Sequence, residues 1–134
     1  MIIAVGGGKG GVGKSFVSTN ISIFLANMGF STLLVDLDLG APNVHTYLGE
    51  EHPQTNFHDF LRGKINNLED AAIGTKFPKL RLLSGANDHT ELANISAMDQ
   101  SRLMSALHTA ESDFIILDLS AGTHTSTLDF FLIQ

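Results

Sequence analysis

Apolar positions along the chain fall into short unbroken runs separated by helically spaced patterns, an alternation that predicts an α/β fold. Met1 to Val5 is a continuous apolar run that stops at glycines, as expected of a parallel strand buried on both faces. From Lys14 to Met28 the residues Val17, Ile21, Phe24, Leu25 and Met28 recur at helical spacing, and Gly29 follows as a candidate C′ residue. Ser31 to Asp36 reads as the second strand, so the first three elements form a βαβ unit, expected to be right-handed. Short helices are predicted at Asn43 to Leu48, Phe57 to Arg62 and Leu68 to Ile73, and a third strand at Leu80 to Leu83, closed by Ser84-Gly85. An amphipathic helix follows from Asp99, its candidate N-cap, to Ala110, with Leu103, Met104 and Leu107 on one side. Phe114 to Leu119 is the fourth strand, apolar except for Asp118, a carboxylate that is expensive to bury without a partner. A polar turn, Ser120 to Thr125, leads into the apolar stretch Leu128 to Ile133.

Composition narrows this picture mainly by exclusion. With 43% hydrophobic residues in 134, the chain has ample material for a core and is not disordered. No apolar run approaches the roughly 20 residues of a membrane-spanning helix, and no basic segment precedes the first run to make it a secretory signal. The absence of cysteine removes disulfides, thiolate metal sites and cysteine nucleophiles from these residues, and a reducing cytosol fits it. Eight basic against 14 acidic residues give a net charge of −6, the wrong sign for gripping duplex DNA through its phosphates. There is no internal repeat or linker, so residues 1–134 read as one domain.

The segment Gly8-Lys9-Gly10-Gly11-Val12-Gly13-Lys14-Ser15 satisfies the phosphate-loop pattern G-x-x-x-x-G-K-[ST] and sits where that loop must sit, between a strand and a helix. Glycines let backbone N–H groups turn inward around phosphate oxygens, and the helix start adds its partial positive charge. Lys14 then reaches the β- and γ-phosphates while Ser15 offers a hydroxyl to Mg²⁺. Gly6, Gly8 and Gly11 also match the dinucleotide fingerprint G-x-G-x-x-G, with acidic residues 25 and 27 positions beyond Gly11. That reading leaves the lysine and hydroxyl after Gly13 unexplained.

Asp36 and Asp38 lie two apart at the carboxyl end of the second strand and so point to the same side, at the edge where open α/β sheets bind ligands. Turn or helix capping is their alternative use. Asp118, near the same end of the fourth strand, is the candidate metal-side acid of a Walker B element, against a paired structural carboxylate. His45, His52 and His58, with Glu50, Glu51 and Asp59 nearby, match no compact ligand spacing and read as surface histidines, as does His124. Phe130 to Ile133 is short, has no basic flank, and reads as a helix packing face rather than a membrane anchor.

The additional lysine early in Lys9-Gly-Gly-Val-Gly-Lys14-Ser15 makes a deviant Walker A motif that resembles the MinD/ParA family of P-loop ATPases. Asp36-Leu-Asp38-Leu-Gly40-Ala-Pro-Asn43 is similar to that family's switch I, and Asp118-Leu-Ser-Ala-Gly122-Thr to its Walker B strand and switch II. Asp59-Phe-Leu-Arg-Gly63-Lys64, Leu68-Glu-Asp70, Leu83-Ser-Gly85 and Glu91-Leu-Ala-Asn94 resemble the branch containing the flagellar-number regulator. Nitrogenase iron protein and the iron–sulfur scaffold ATPases share the loop but need cysteines, and bacterial tyrosine kinases need a tyrosine-rich tail where this chain has only Tyr47.

The resemblance implies a P-loop NTPase fold, a mostly parallel sheet with helices on both faces, of which this chain would be about the first half. It implies ATP and Mg²⁺ as ligands. Phosphate would be held by Lys14 and the backbone of Gly10, Gly11, Val12, Gly13, Lys14, Ser15 and Phe16, with Gly122 offering its N–H to the γ-phosphate. Ser15 would bind Mg²⁺ directly, and Asp36 and Asp118 would hold metal-bound waters. Asp38 would orient the attacking water, and Lys9 would reach across an ATP-bound homodimer to the partner's nucleotide, much as an arginine finger does. A cytoplasmic, slow dimerisation switch serving spatial positioning or partitioning follows, with a regulatory protein partner. Family members are longer, so contact with a membrane's inner face or with DNA would come from segments beyond residue 134. Their sheet order places the Walker B strand between the first and second strands, with Met1 to Val5 at the edge of these four. Such an exposed apolar edge favours association.

Overall fold

The computed structural model describes residues 1–5, 11–36, 49, 60, 63, 67–84 and 97–118, with residues 11–15, 97, 99 and 100 described by their helical backbone. Its strands are β1 (Ile2–Val5), β2 (Thr32–Asp36), β3 (Ile73–Gly74), β4 (Leu80–Leu83) and β5 (Phe114–Asp118), and its helices α1 (Gly11–Asn27) and α2 (Ala97–Thr109). One sheet takes the order β1-β5-β2-β4-β3, parallel throughout except for the antiparallel β3. The Walker B candidate strand β5 therefore lies between β1 and β2, and β1 has its one described neighbour in β5. The expected order of the four longer strands holds.

Strand alternation divides the core cleanly in two. Leu33, Val35, Ile115 and Leu117 point to one side and pack with Leu103, Met104 and Leu107 of α2, together with Phe60 and Leu68. Leu34, Ile116, Leu80 and Leu82 belong to the other cluster, with Ala26, Ile21 and Leu25 of α1. β2 is buried along its whole length, as its apolar run requires of a strand covered on both faces. Ser31 and Asp113 lock the starts of β2 and β5: the Ser31 N–H donates to Asp113 Oδ2 at 3.0 Å, and the Asp113 N–H donates to Ser31 Oγ at 2.9 Å.

α1 packs differently from the face its apolar residues suggest. Val17, Phe24 and Met28 are 47%, 62% and 60% exposed, while Ser18, Thr19, Ser22 and Ala26 are buried against the sheet. Small side chains let the helix backbone come close to the strands, and a polar one is needed above Asp118. The helix ends at Gly29, whose φ of 97° is left-handed. The Gly29 N–H donates to the Ala26 carbonyl (3.0 Å) and the Phe30 N–H to the Leu25 carbonyl (3.1 Å), the paired bonds of a Schellman ending. Lys79 Nζ donates to the Gly29 carbonyl at 2.9 Å, a cation placed at the negative end of the helix.

Three local expectations are corrected. Leu68 to Ile73 is not one helix: a single 3-10 turn covers Leu68–Ala71, Ala72 turns extended, and Ile73–Gly74 pairs with β4. Asn67 Oδ1 accepts from the Glu69 N–H to open that turn, and Arg81 donates to the Glu69 carbonyl, which holds the segment against the sheet edge. Asp99 is not the cap of α2, because the helix starts at Ala97 and Asp99 lies in its first turn. α1 begins at Gly11 rather than Lys14, since the glycines adopt helical backbone once the turn has started. The helices expected at 43–48 and 57–62 lie outside the described residues, Phe60 excepted.

Two stability measurements follow. Thr19 Oγ1 is buried with no hydrogen-bond partner, so Thr19→Val is expected to stabilise by about 1 kcal/mol, a rise of roughly 4 °C in Tm by calorimetry. Gly29→Ala meets no atom within 4 Å, so its loss comes from backbone strain alone and is expected at about 1 kcal/mol in urea unfolding.

Candidate functional site

Three strand ends stand abreast where β1 gives way to the glycine loop. In register, Val5 pairs with Asp118, and Asp118 with Asp36. Paired residues of parallel strands project to the same side, so both carboxylates share the face of Leu34 and Ile116, which is the face α1 covers. Asp36 is 0% exposed and Asp118 1%. The adjacent strands bring these two acids to within about 5 Å at the backbone.

The same edge receives the start of α1. Gly11, Val12, Gly13, Lys14 and Ser15 form its opening turns, whose leading N–H groups have no acceptor inside the helix. No acidic residue lies in the first turn to offset the positive end of the helix dipole. Phe16, the last of the expected phosphate-binding backbone positions, lies on the outer side with its ring exposed. The edge thus combines a positive helix end with two buried acids, a pairing suited to a phosphate that arrives with its own divalent cation.

Asp118 also has the partner that its burial demands. Ser18 Oγ donates to Asp118 Oδ1 at 2.8 Å, with both groups buried, and Ser22 Oγ donates to the Ser18 carbonyl at 2.8 Å. Sequence reasoning names the carboxylate but misses Ser18. A signal for it was present in the four-residue spacing of Lys14, Ser18, Ser22 and Ala26, which marks one helix face descending from the loop.

The donor set fits Mg²⁺. Two hard carboxylates suffice for an ion that takes one or two protein ligands alongside phosphate oxygens and retained waters. Among the described residues no cluster of three or more His, Cys, Asp or Glu could form an all-protein metal cage. Of the residues expected at the site, the structure brings Asp36, Asp118 and the start of α1 together. Lys9, Gly10, Asp38 and Gly122 lie outside the described residues, as do His45, His52, His58 and His124.

Comparison with known proteins identifies the family and the fold. A ParA family model, described as NUBPL iron-transfer P-loop NTPase, matches residues 1–132. Iron transfer is that model's description; the 134 residues here contain no cysteine. The antiactivator FleN of Pseudomonas aeruginosa is 32% identical over 131 residues, covering 96% of this chain and 46% of its own. Among solved structures, the cell division ATPase MinD of Pyrococcus furiosus superposes with a TM-score of 0.78 at 33% identity, over 98% of this chain and 54% of that one. The septum site-determining protein MinD of Pyrococcus horikoshii, complexed with Mg-ADP, gives 0.78 at 34%, over 98% and 53%. The chain spans about half the length of the relatives it matches. With the family model matched over residues 1–132 and the fold shared with two MinD structures, the chain belongs to the ParA/MinD family of P-loop NTPases.

Proposed function

We propose that this chain is the N-terminal part of the ATPase domain of a Mg-ATP-dependent dimerisation switch, acting in the cytoplasm in spatial positioning or partitioning. The observation that carries the reading is the in-register pair Asp36 and Asp118, buried side by side beneath the start of α1. Two adjacent carboxylates at the carboxyl ends of parallel strands, beside the positive end of a helix, suit a divalent cation shared with a phosphate. A bound Mg²⁺ would supply the charge that neutralises the phosphates.

In this reading Lys14 and the backbone from Gly10 to Phe16 hold the phosphates, and Ser15 with Asp36 and Asp118 holds the metal and its waters. Asp38 orients the attacking water, and Gly122 donates its N–H to the γ-phosphate. Lys9 crosses to the nucleotide of a second copy, so turnover depends on association. The similarity to a protein named an antiactivator supports a regulatory protein as the partner that reads the switch.

Calorimetry with Mg-ATP on the full-length protein tests the reading. Lys14→Ala is expected to weaken binding by roughly tenfold or more, the loss of one charged contact. Binding equal in Lys14→Ala and the unmutated protein overturns the site assignment. Asp38→Ala is expected to bind Mg-ATP normally, to lower phosphate release by about 100-fold or more, and to accumulate as dimer on size exclusion. If Asp38→Ala changes neither release nor assembly, the protein is a nucleotide-gated binding module without turnover.

A further inference from the structure

We infer that Ser18 is the positioning residue of the metal site, aiming the Asp118 carboxylate from one helical turn behind the phosphate loop. The inference rests on the Mg-nucleotide reading above and adds to it a side chain that lies outside the loop motif.

An aspartate carboxyl turns about a broad, two-fold χ2 torsion, so a strand can place it without aiming it. Ser18 supplies such a constraint. Its hydroxyl meets Asp118 Oδ1 at 2.8 Å, an ordinary O–H···O length, with the serine 0% and the aspartate 1% exposed. Ser18 is itself held, because its carbonyl accepts from Ser22 Oγ and its helix face lies against the sheet. The acid is therefore oriented by the helix whose opening turns carry Lys14 and Ser15. The geometry of the phosphate end and that of the metal end are joined by four residues of α1 rather than set independently. A serine in a helix interior is a weaker helix former than alanine, so its place there is accounted for by the carboxylate across from it.

Groups that orient metal-side ligands without touching the metal typically change metal affinity by 10–100-fold when removed. The test is the Mg²⁺ dependence of binding of a fluorescent ADP analogue to the full-length protein, with thermal melting of each variant. Ser18→Ala is expected to raise the Mg²⁺ midpoint about tenfold or more, while affinity for the analogue in EDTA stays within about twofold of the unmutated protein. Ser18→Thr, which keeps the hydroxyl, is expected to restore the midpoint. An unchanged midpoint in Ser18→Ala overturns the inference, as does an equal loss of affinity with and without Mg²⁺, which marks a packing defect. If the unmutated protein shows no Mg²⁺-dependent binding at all, the nucleotide-switch reading itself fails, a result visible before any variant is compared.

Discussion

Two acids buried side by side at the ends of β2 and β5 are the constraint to which much of the surrounding structure answers. Each is at the bottom of the exposure range, where an ionised group must be paired or must serve a bound cation. Satisfying Asp118 requires a hydroxyl on the helix above it. That hydroxyl requires close approach, and close approach requires the small face Ser18, Ser22 and Ala26. Ile21 and Leu25 still pack at the margin of that face, whereas Val17 and Phe24 are turned outward, which accounts for their exposure.

The chemistry of the edge follows from topology as much as from residue type. β1, β5 and β2 are parallel and in register, so their carboxyl ends finish together. The helix joining β1 to β2 passes over β5 and begins at that same end. The opening turns of that helix and Asp118 are thus neighbours although about 100 residues separate them in sequence.

Much of this was legible in the sequence, and the exceptions have physical causes. The first strand, expected over Met1 to Val5 and found at Ile2–Val5, the Leu80–Leu83 strand, the strand expected from Phe114 to Leu119, the glycine ending of α1 and the order of the four longer strands are all accessible to pattern and resemblance, because each depends on local chemistry or on a motif with one structural context. The orientation of α1 was not. Hydrophobic spacing identifies a helix but misplaces the centre of its buried face, since Ile21 and Leu25 pack at the margin while Ser18, Ser22 and Ala26 lie innermost. Leu68 to Ile73 misleads for a related reason: its apolar and acidic residues suit a helix, but Ala72 and the pairing of Ile73 with Leu82 draw the chain into the sheet after one turn. Ser18 escaped because its role is fixed by a residue 100 positions away.

The alternation of the two core clusters gives Asp118 a second consequence, for folding rather than chemistry. Odd-numbered β5 residues face Leu103, Met104 and Leu107, and even-numbered ones face α1. A slip of β5 by one position would exchange these sets and drive a carboxylate among three leucine-sized side chains with no donor. Mispaired sheets are therefore penalised by the acid itself, which makes Asp118 a proofreader of strand registry as the chain assembles.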